Sequence, residues 1–177
     1  MITDYIPPTY TISLNLINDY TSIMRFCRKQ KIRFYVYKIS WKGQTVKYGI
    51  QHKHGGNGND YGERIYTQIG HMPGWTKPNL KRCPSTKKDM DEIIKNIETT
   101  FKCKFDKDDI VVTIKDYTNA PFELDNPRSE LQRIEDDLSD AHQRKHGYRP
   151  FGNKTKPTGK KTPLLKSTGL FEFVEDQ

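Results

Sequence analysis

Apolar positions along this chain recur at two spacings, and the switches between them mark out the elements. Residues 17–30 place Ile17, Tyr20, Ile23, Met24 and Cys27 on one helical face. Asn18 or Asp19 stands where an N-cap belongs. Arg25, Arg28 and Lys29 gather toward the end, where the helix dipole favours cations. Residues 32–41 then change period. Ile32, Phe34 and Val36 alternate with Tyr35, Tyr37, Ile39 and Trp41, apolar on both sides, as a central strand requires. A short Lys42-Gly43 turn leads to a partner strand over residues 45–53, giving a hairpin. The stretch His54-Gly55-Gly56-Asn57-Gly58-Asn59 predicts a flexible loop, because a glycine-dense backbone loses most entropy on ordering.

A short helix follows over residues 61–70, carrying Arg64, and Pro73-Gly74 signals a turn. Residues 86–101 show the clearest helical stripe, with Met90, Ile93, Ile94, Ile97 and Phe101 in phase. Thr86 and Asp89 have the spacing of a capping box. Asp109 to Tyr117 reads as a strand, and its run from Ile110 to Ile114 suits full burial. Asn126 and Pro127 open a last helix as cap and first helical residue. Leu131, Ile134, Leu138 and Ala141 form its stripe, and Gly147 ends it. Residues 1–16, with Pro7-Pro8 and few periodic apolars, read as an irregular arm. The stretch from Arg149 onward, rich in Lys, Gly, Pro and Thr, reads as a tail until Leu170–Val174, which suits a short strand.

Three strands with interleaved helices predict an α+β sandwich around a small mixed sheet. The expected organisation is an N-terminal arm and helix over residues 1–31, a core over residues 32–153 and a basic tail over residues 154–177. A length of 177 residues supports one domain with a real core.

Charge narrows the function. The formal net charge is +8, which points to an anionic partner, nucleic acid before a membrane surface. Between Tyr20 and Asn59 there are nine Lys or Arg and no Asp or Glu, interleaved with tyrosines, a composition suited to a phosphodiester backbone. No apolar run approaches the ~20 residues of a spanning helix. The first ten residues show no basic segment followed by an apolar one, so no signal peptide is expected. Cys27, Cys83 and Cys103 are scattered and odd in number, which predicts reduced thiols in a cytoplasmic protein and not a zinc ribbon.

Two short motifs lie on the hairpin: Tyr35-Val36-Tyr37, followed by Lys38-Ile39, and Lys47-Tyr48-Gly49. With the element order, they resemble the GIY-YIG nuclease family. That family's core is a small three-stranded antiparallel sheet flanked by helices, in the order strand, strand, helix, helix, strand, helix. Residues 32–146 follow this order. Tyr35 stands in place of the first motif's glycine. Lys47 falls where the second motif's tyrosine usually lies, with Tyr48 one place later, and a one-residue shift turns a side chain to the other side of a sheet.

The resemblance implies a divalent-metal-dependent DNA endonuclease, with Mg²⁺ or Mn²⁺ as cofactor. Tyr37 or Tyr48 would take a proton from the attacking water, its pKa lowered by Lys38, Lys47 or the metal. Arg64 would clamp the scissile phosphate. A glutamate on the last helix would hold the metal. Glu135 flanks the stripe between Leu131 and Leu138, and Glu130 on the opposite edge is its rival. Asn153 is the candidate for the asparagine that follows. Lys38, His52, His54, Lys154, Lys156, Lys160 and Lys161 would track the nucleic acid. DNA is the expected partner, with no membrane. A double-strand break would need a homodimer or two visits. Homing, restriction or another phage or mobile-element role fits this chemistry.

Each residue also has an ordinary structural reading. Tyr37 and Tyr48 suit sheet packing, Arg64 suits a helix surface, and Glu135 belongs to an acidic run that suits a solvated face. His142 and His146, four apart, suit dipole partners at a helix end better than an incomplete zinc site. His71 is another possible neighbour of the site by spacing from Arg64 alone. The alternative functions are a nucleic-acid-binding protein without chemistry and a small interaction protein whose charge is incidental.

Overall fold

The hairpin sets the frame. In the computed structural model, which describes residues 4–52, 61, 63–76, 83–122 and 127–153, β2 (Tyr35–Trp41) and β3 (Gln44–Gln51) run antiparallel. Lys42 and Gly43 join them with φ of 45° and 77°, the left-handed pair whose twist matches a two-residue hairpin. Tyr35 faces Gln51, Tyr37 faces Gly49 and Ile39 faces Lys47. A bulge beside Ile39 and Ser40 leaves Val46 as the extra residue of β3.

On its other side β2 pairs antiparallel with β4 (Ile110–Asp116), so β2 is interior, which is why its residues are apolar on both faces. The fold is α+β, as expected, but the sheet has four strands and is wholly antiparallel. The fourth is β1 (Thr9–Ser13), which pairs with β4 and completes the order β1-β4-β2-β3. This corrects the reading of residues 1–16 as an irregular arm and the count of three strands. The alternation of Thr9, Thr11 and Ser13 with Tyr10 and Ile12 is the half-polar pattern of an edge strand. The preceding prolines belong to its entry, where the Pro8 carbonyl accepts from the Asp116 N–H at 2.8 Å.

Helices cover both faces. On one lie α1 (Thr21–Lys29), α2 (Glu63–Gly70) and α3 (Pro84–Phe101). Their Ile23, Cys27, Ile65, Ile69, Met90 and Ile97 pack with Tyr35, Tyr37, Ile39, Trp41, Val112 and Ile114 in the main core. On the other, α4 (Pro127–His146) lays Leu131, Ile134 and Leu138 on Val36, Phe34, Ile50 and Tyr117. Each large aliphatic so buried contributes about 1.5–3 kcal/mol, more than any surface pair, so these two stripes fix the sandwich. Ala141, expected in the stripe of α4, is exposed.

The ends of the helices follow local chemistry. Asp19 is the acceptor at the start of α1, taking the Thr21 N–H at 2.9 Å. α3 begins at Pro84 after Cys83, so Thr86 sits buried inside the first turn and the expected capping box with Asp89 is not what starts the helix. Gly147, with φ of 81°, closes α4 by donating to the Gln143 carbonyl at 2.8 Å.

Residues 148–153 are not part of a tail. Tyr148, Arg149 and Pro150 are buried, and the Gly152 N–H donates to the carbonyl of the bulged Val46 at 2.9 Å. Residues 148–153 thus return along the outer edge of β3. The glycine-rich loop with His54, and the tail with Lys154, Lys156, Lys160, Lys161 and the stretch 170–174, lie outside the described residues. Cys27, Cys83 and Cys103 are free thiols. Among the described residues no helix is long and apolar enough to cross a membrane.

The cross-strand pair Tyr37–Gly49 is a close fit. A Cβ on Gly49 would lie 2.3 Å from the Cζ of the Tyr37 ring, and that tyrosine is only 1% exposed. Gly49→Ala is expected to destabilise the fold by about 1–3 kcal/mol, the usual penalty for overpacking. Urea titration would show a lower midpoint at constant slope. An unchanged midpoint would mean that the ring has room to yield.

Candidate active site

The site begins with the pleat. Tyr37, Lys47 and Gly49 share the face covered by α2, because directly opposed strand residues point the same way. On α2, Arg64 and Gln68 stand one turn apart. The Lys47 ammonium donates to the Gln68 Oε1 at 3.2 Å. Its stem is held from outside by the returning chain. A Cβ on Gly152 would come within 2.7 Å of the Lys47 Cβ, Cγ and Cδ, so only glycine lets that backbone lie flat against it.

Glu135 comes from α4, the helix of the opposite layer, and meets this group past the edge of β3. Asn153 makes the connection. Its Oδ1 accepts the Tyr48 backbone N–H at 2.7 Å, and its Nδ2 donates to the Tyr48 carbonyl at 3.0 Å and to the Glu135 Oε1 at 3.0 Å. Gln132 donates more weakly to the Glu135 Oε2 at 3.4 Å. Tyr37, Lys47, Arg64, Glu135 and Asn153 all line one cavity of about 860 Å³, together with His52.

The sheet separates the other nominees. Tyr48 and Lys38 oppose each other on the face under α4 and line a second cavity. Tyr48 serves the first site only through its backbone, and Lys47 occupies the position beside Tyr37. Glu130, the rival of Glu135, does not line the cavity. His71 is buried, with its Nδ1 at 2.6 Å from the Thr67 carbonyl, and does not line it either.

Two arginines went unnoticed in the sequence. Arg128 and Arg149 both line the cavity, and Arg149 is buried and ion-paired with Asp140. The clue to Arg149 was the company it keeps. Tyr148, Pro150 and Phe151 around it are too apolar for a solvated tail.

Burial governs the titrations. The Tyr37 phenol is pushed above its usual range chiefly by burial, with Arg64 pulling it down and Glu135 pushing it up. Its hydroxyl is enclosed without a well-formed hydrogen bond, Arg64 standing close enough to draw on it but short of good geometry. The expected lowering by nearby cations therefore does not occur at Tyr37, because desolvation outweighs them. Glu135 is pushed up to about 7, again mainly by burial. Lys47 opposes the shift, Asp136 adds to it, and Arg64 opposes it.

Among the described residues no group of three or more His, Cys, Asp or Glu converges as a metal cage. Four carboxylates among the described residues line the cavity, Glu63, Asp89, Glu135 and Asp136, and Glu135 is the one that Asn153 orients. Hard oxygens and open space suit Mg²⁺ or Mn²⁺, with Mg²⁺ typically keeping most of its waters, and do not suit zinc. Comparison with protein-family models finds no match, and comparisons with curated proteins and with solved structures find none of significance.

A carboxyl whose pKa is raised on folding contributes most stability when protonated, and that contribution is lost as pH rises through the folded value. For Glu135 the loss spans the interval from its ordinary value near 4.5 to about 7. In metal-free buffer, Glu135→Gln is expected to raise the melting temperature above pH 7 and to leave it nearly unchanged near pH 4. Equal shifts at both pH values would show that the carboxylate is well solvated.

Proposed function

We propose that the chain is a divalent-metal-dependent endonuclease that hydrolyses DNA phosphodiester bonds in the manner of GIY-YIG nucleases. The observation that carries this reading is the meeting of a phenol, a guanidinium, an ammonium and a carboxylate in one cavity from four separate elements. Tyr37 comes from β2, Lys47 from β3, Arg64 from α2 and Glu135 from α4. Structural packing does not require such a meeting, and a net charge of +8 supplies the attraction for the substrate.

The roles follow from placement. Arg64 offers a planar fork to the non-bridging oxygens of the scissile phosphate, where charge builds in the transition state. Lys47, steadied by Gln68, adds a second fixed positive charge. Glu135, oriented by Asn153, is the protein ligand for the cation. That cation, when bound, supplies positive charge at the phosphate and leaving oxygen and makes neighbouring acids ionise more readily. The Tyr37 hydroxyl orients the attacking water, and its position between Arg64 and Glu135 couples its proton to the charge of both. Hydrolysis forms the bond from water oxygen to phosphorus and breaks the bond to the leaving oxygen in line. One such site cuts one strand, so a paired cut needs a second copy or a second visit, as in homing or restriction.

The second reading is a DNA-binding protein without chemistry. The presence of Lys47 in place of a tyrosine, and a Tyr37 phenol held protonated by burial, favour it. Supercoiled plasmid with Mg²⁺, and again with chelator, separates the two. The nuclease reading expects metal-dependent nicking. Glu135→Ala should abolish nicking while DNA affinity persists, and Glu130→Ala should leave it intact. Arg64→Ala should slow it by about 10²–10³-fold, the usual loss for one transition-state donor. Metal-independent binding with no nicking at any protein concentration would leave the second reading in its place.

A further inference from the structure

The second cavity, on the face of the sheet away from the candidate active site, has a lining that packing does not explain. Over its N-terminal half α4 covers the sheet with Leu131 and Ile134 against Val36 and Tyr117, an ordinary apolar contact. Toward its C-terminal end lysines and histidines join Val36, Leu138 and Ala141 around a cavity of about 380 Å³. Lys38 of β2, Lys115 of β4 and Lys145 of α4 line this space, and among the described residues no Asp or Glu does. Tyr48, His142 and His146 supply aromatic surface, and Thr113 a hydroxyl.

The helix dipole accounts for Lys145, which sits in the last turn of α4. It does not account for the other two. Lys38 lies half-buried on the interior strand, flanked by Thr113 on one neighbour and Tyr48 on the other, where an apolar residue would normally meet the helix. Lys115 and Lys145 take part in no ion pair among the described residues. Three lysines on one open cavity, with no carboxylate among its described lining residues, give it a positive potential that an anion would meet favourably. The volume lies at the lower end of the ~300–1,000 Å³ typical of small-ligand sites, suited to one nucleotide.

We propose that this cavity is a phosphate site that takes one nucleotide unit, its phosphate on Lys38, Lys115 and Lys145 and its base against the Tyr48 and histidine surface. The unit is either a free nucleotide or one residue of a strand. This binding does not depend on the nuclease reading, because the two cavities lie on opposite faces of the sheet.

Calorimetric titration of the full chain at low salt tests it. The probes are inorganic phosphate, deoxythymidine 5′-monophosphate and a short single strand of dT. At least one is expected to bind, and Lys115→Gln and Lys145→Gln are each expected to weaken it about tenfold, the effect of one charge-assisted hydrogen bond. Lys29→Gln, which removes the same charge from α1, is expected to leave that binding within about twofold, as remote exposed charges do. Lys145 is exposed at a helix end, so its variant reports even where Lys115→Gln fails to fold. Lysine-dependent binding of the mononucleotide or of phosphate assigns a free ligand, and such binding of the strand alone assigns nucleic acid. Absence of binding by every probe, or binding that both lysine variants leave intact, overturns the proposal.

Discussion

The candidate site depends on a single side-chain amide that closes the free edge of β3 at Tyr48. Asn153 pairs with both backbone groups of Tyr48 as a neighbouring strand would, and its remaining N–H goes to Glu135. Each such bond adds only about 0.5–1.5 kcal/mol net, but an edge carbonyl or carboxylate buried without a partner costs about 1–3 kcal/mol. The amide therefore does more than add stability. It ties the helix layer that carries Glu135 to the strand that carries Lys47, and so fixes the distance between groups from opposite sides of the sheet. A carboxylate at the same position could accept from the Tyr48 N–H but would face the Tyr48 carbonyl and Glu135 with like charge.

Within that frame the electrostatics are unbalanced. Burial raises both Glu135 and Tyr37, and the two cations that face them do not restore either to its ordinary value. In the free protein the cavity favours protonated acids, so incoming positive charge is stabilised and incoming negative charge is met by Arg64 and Lys47. A ligand pair made of a cation and a phosphate satisfies both requirements at once.

Much of this architecture was legible in the chain. The hairpin, α3 and α4 carry strong periodic patterns, and the burial seen on both faces of β2 follows from its unbroken apolar run. β1 was not legible because an edge strand alternates threonine and serine with only two large apolars. The return of residues 148–153 was not, because an irregular segment has no period and its place is set by contacts with β3. Tyr37, Arg64 and Glu135 could be nominated by motif and helix phase. The choice between Lys47 and Tyr48 could not, since it depends on strand register. The direction of the Tyr37 shift could not either: neighbouring charges can be counted in a sequence, whereas desolvation depends on the assembled layers.

The bulge at Val46 has a consequence for that choice. Counted outward from the two-residue turn, a regular ladder would set Val46 against Ile39 and Tyr48 against Tyr37, bringing two phenols to one face. The inserted residue advances the ladder by one, so that Gly49 takes the place opposite Tyr37 and Lys47 arrives beside it. Tyrosine or lysine beside Tyr37 in the cavity is thus a matter of strand phase, set several residues away. A chain of this kind can exchange a phenol for an ammonium beside Tyr37 by drawing one residue near the hairpin tip into the ladder or letting it bulge out, with no substitution in the cavity itself.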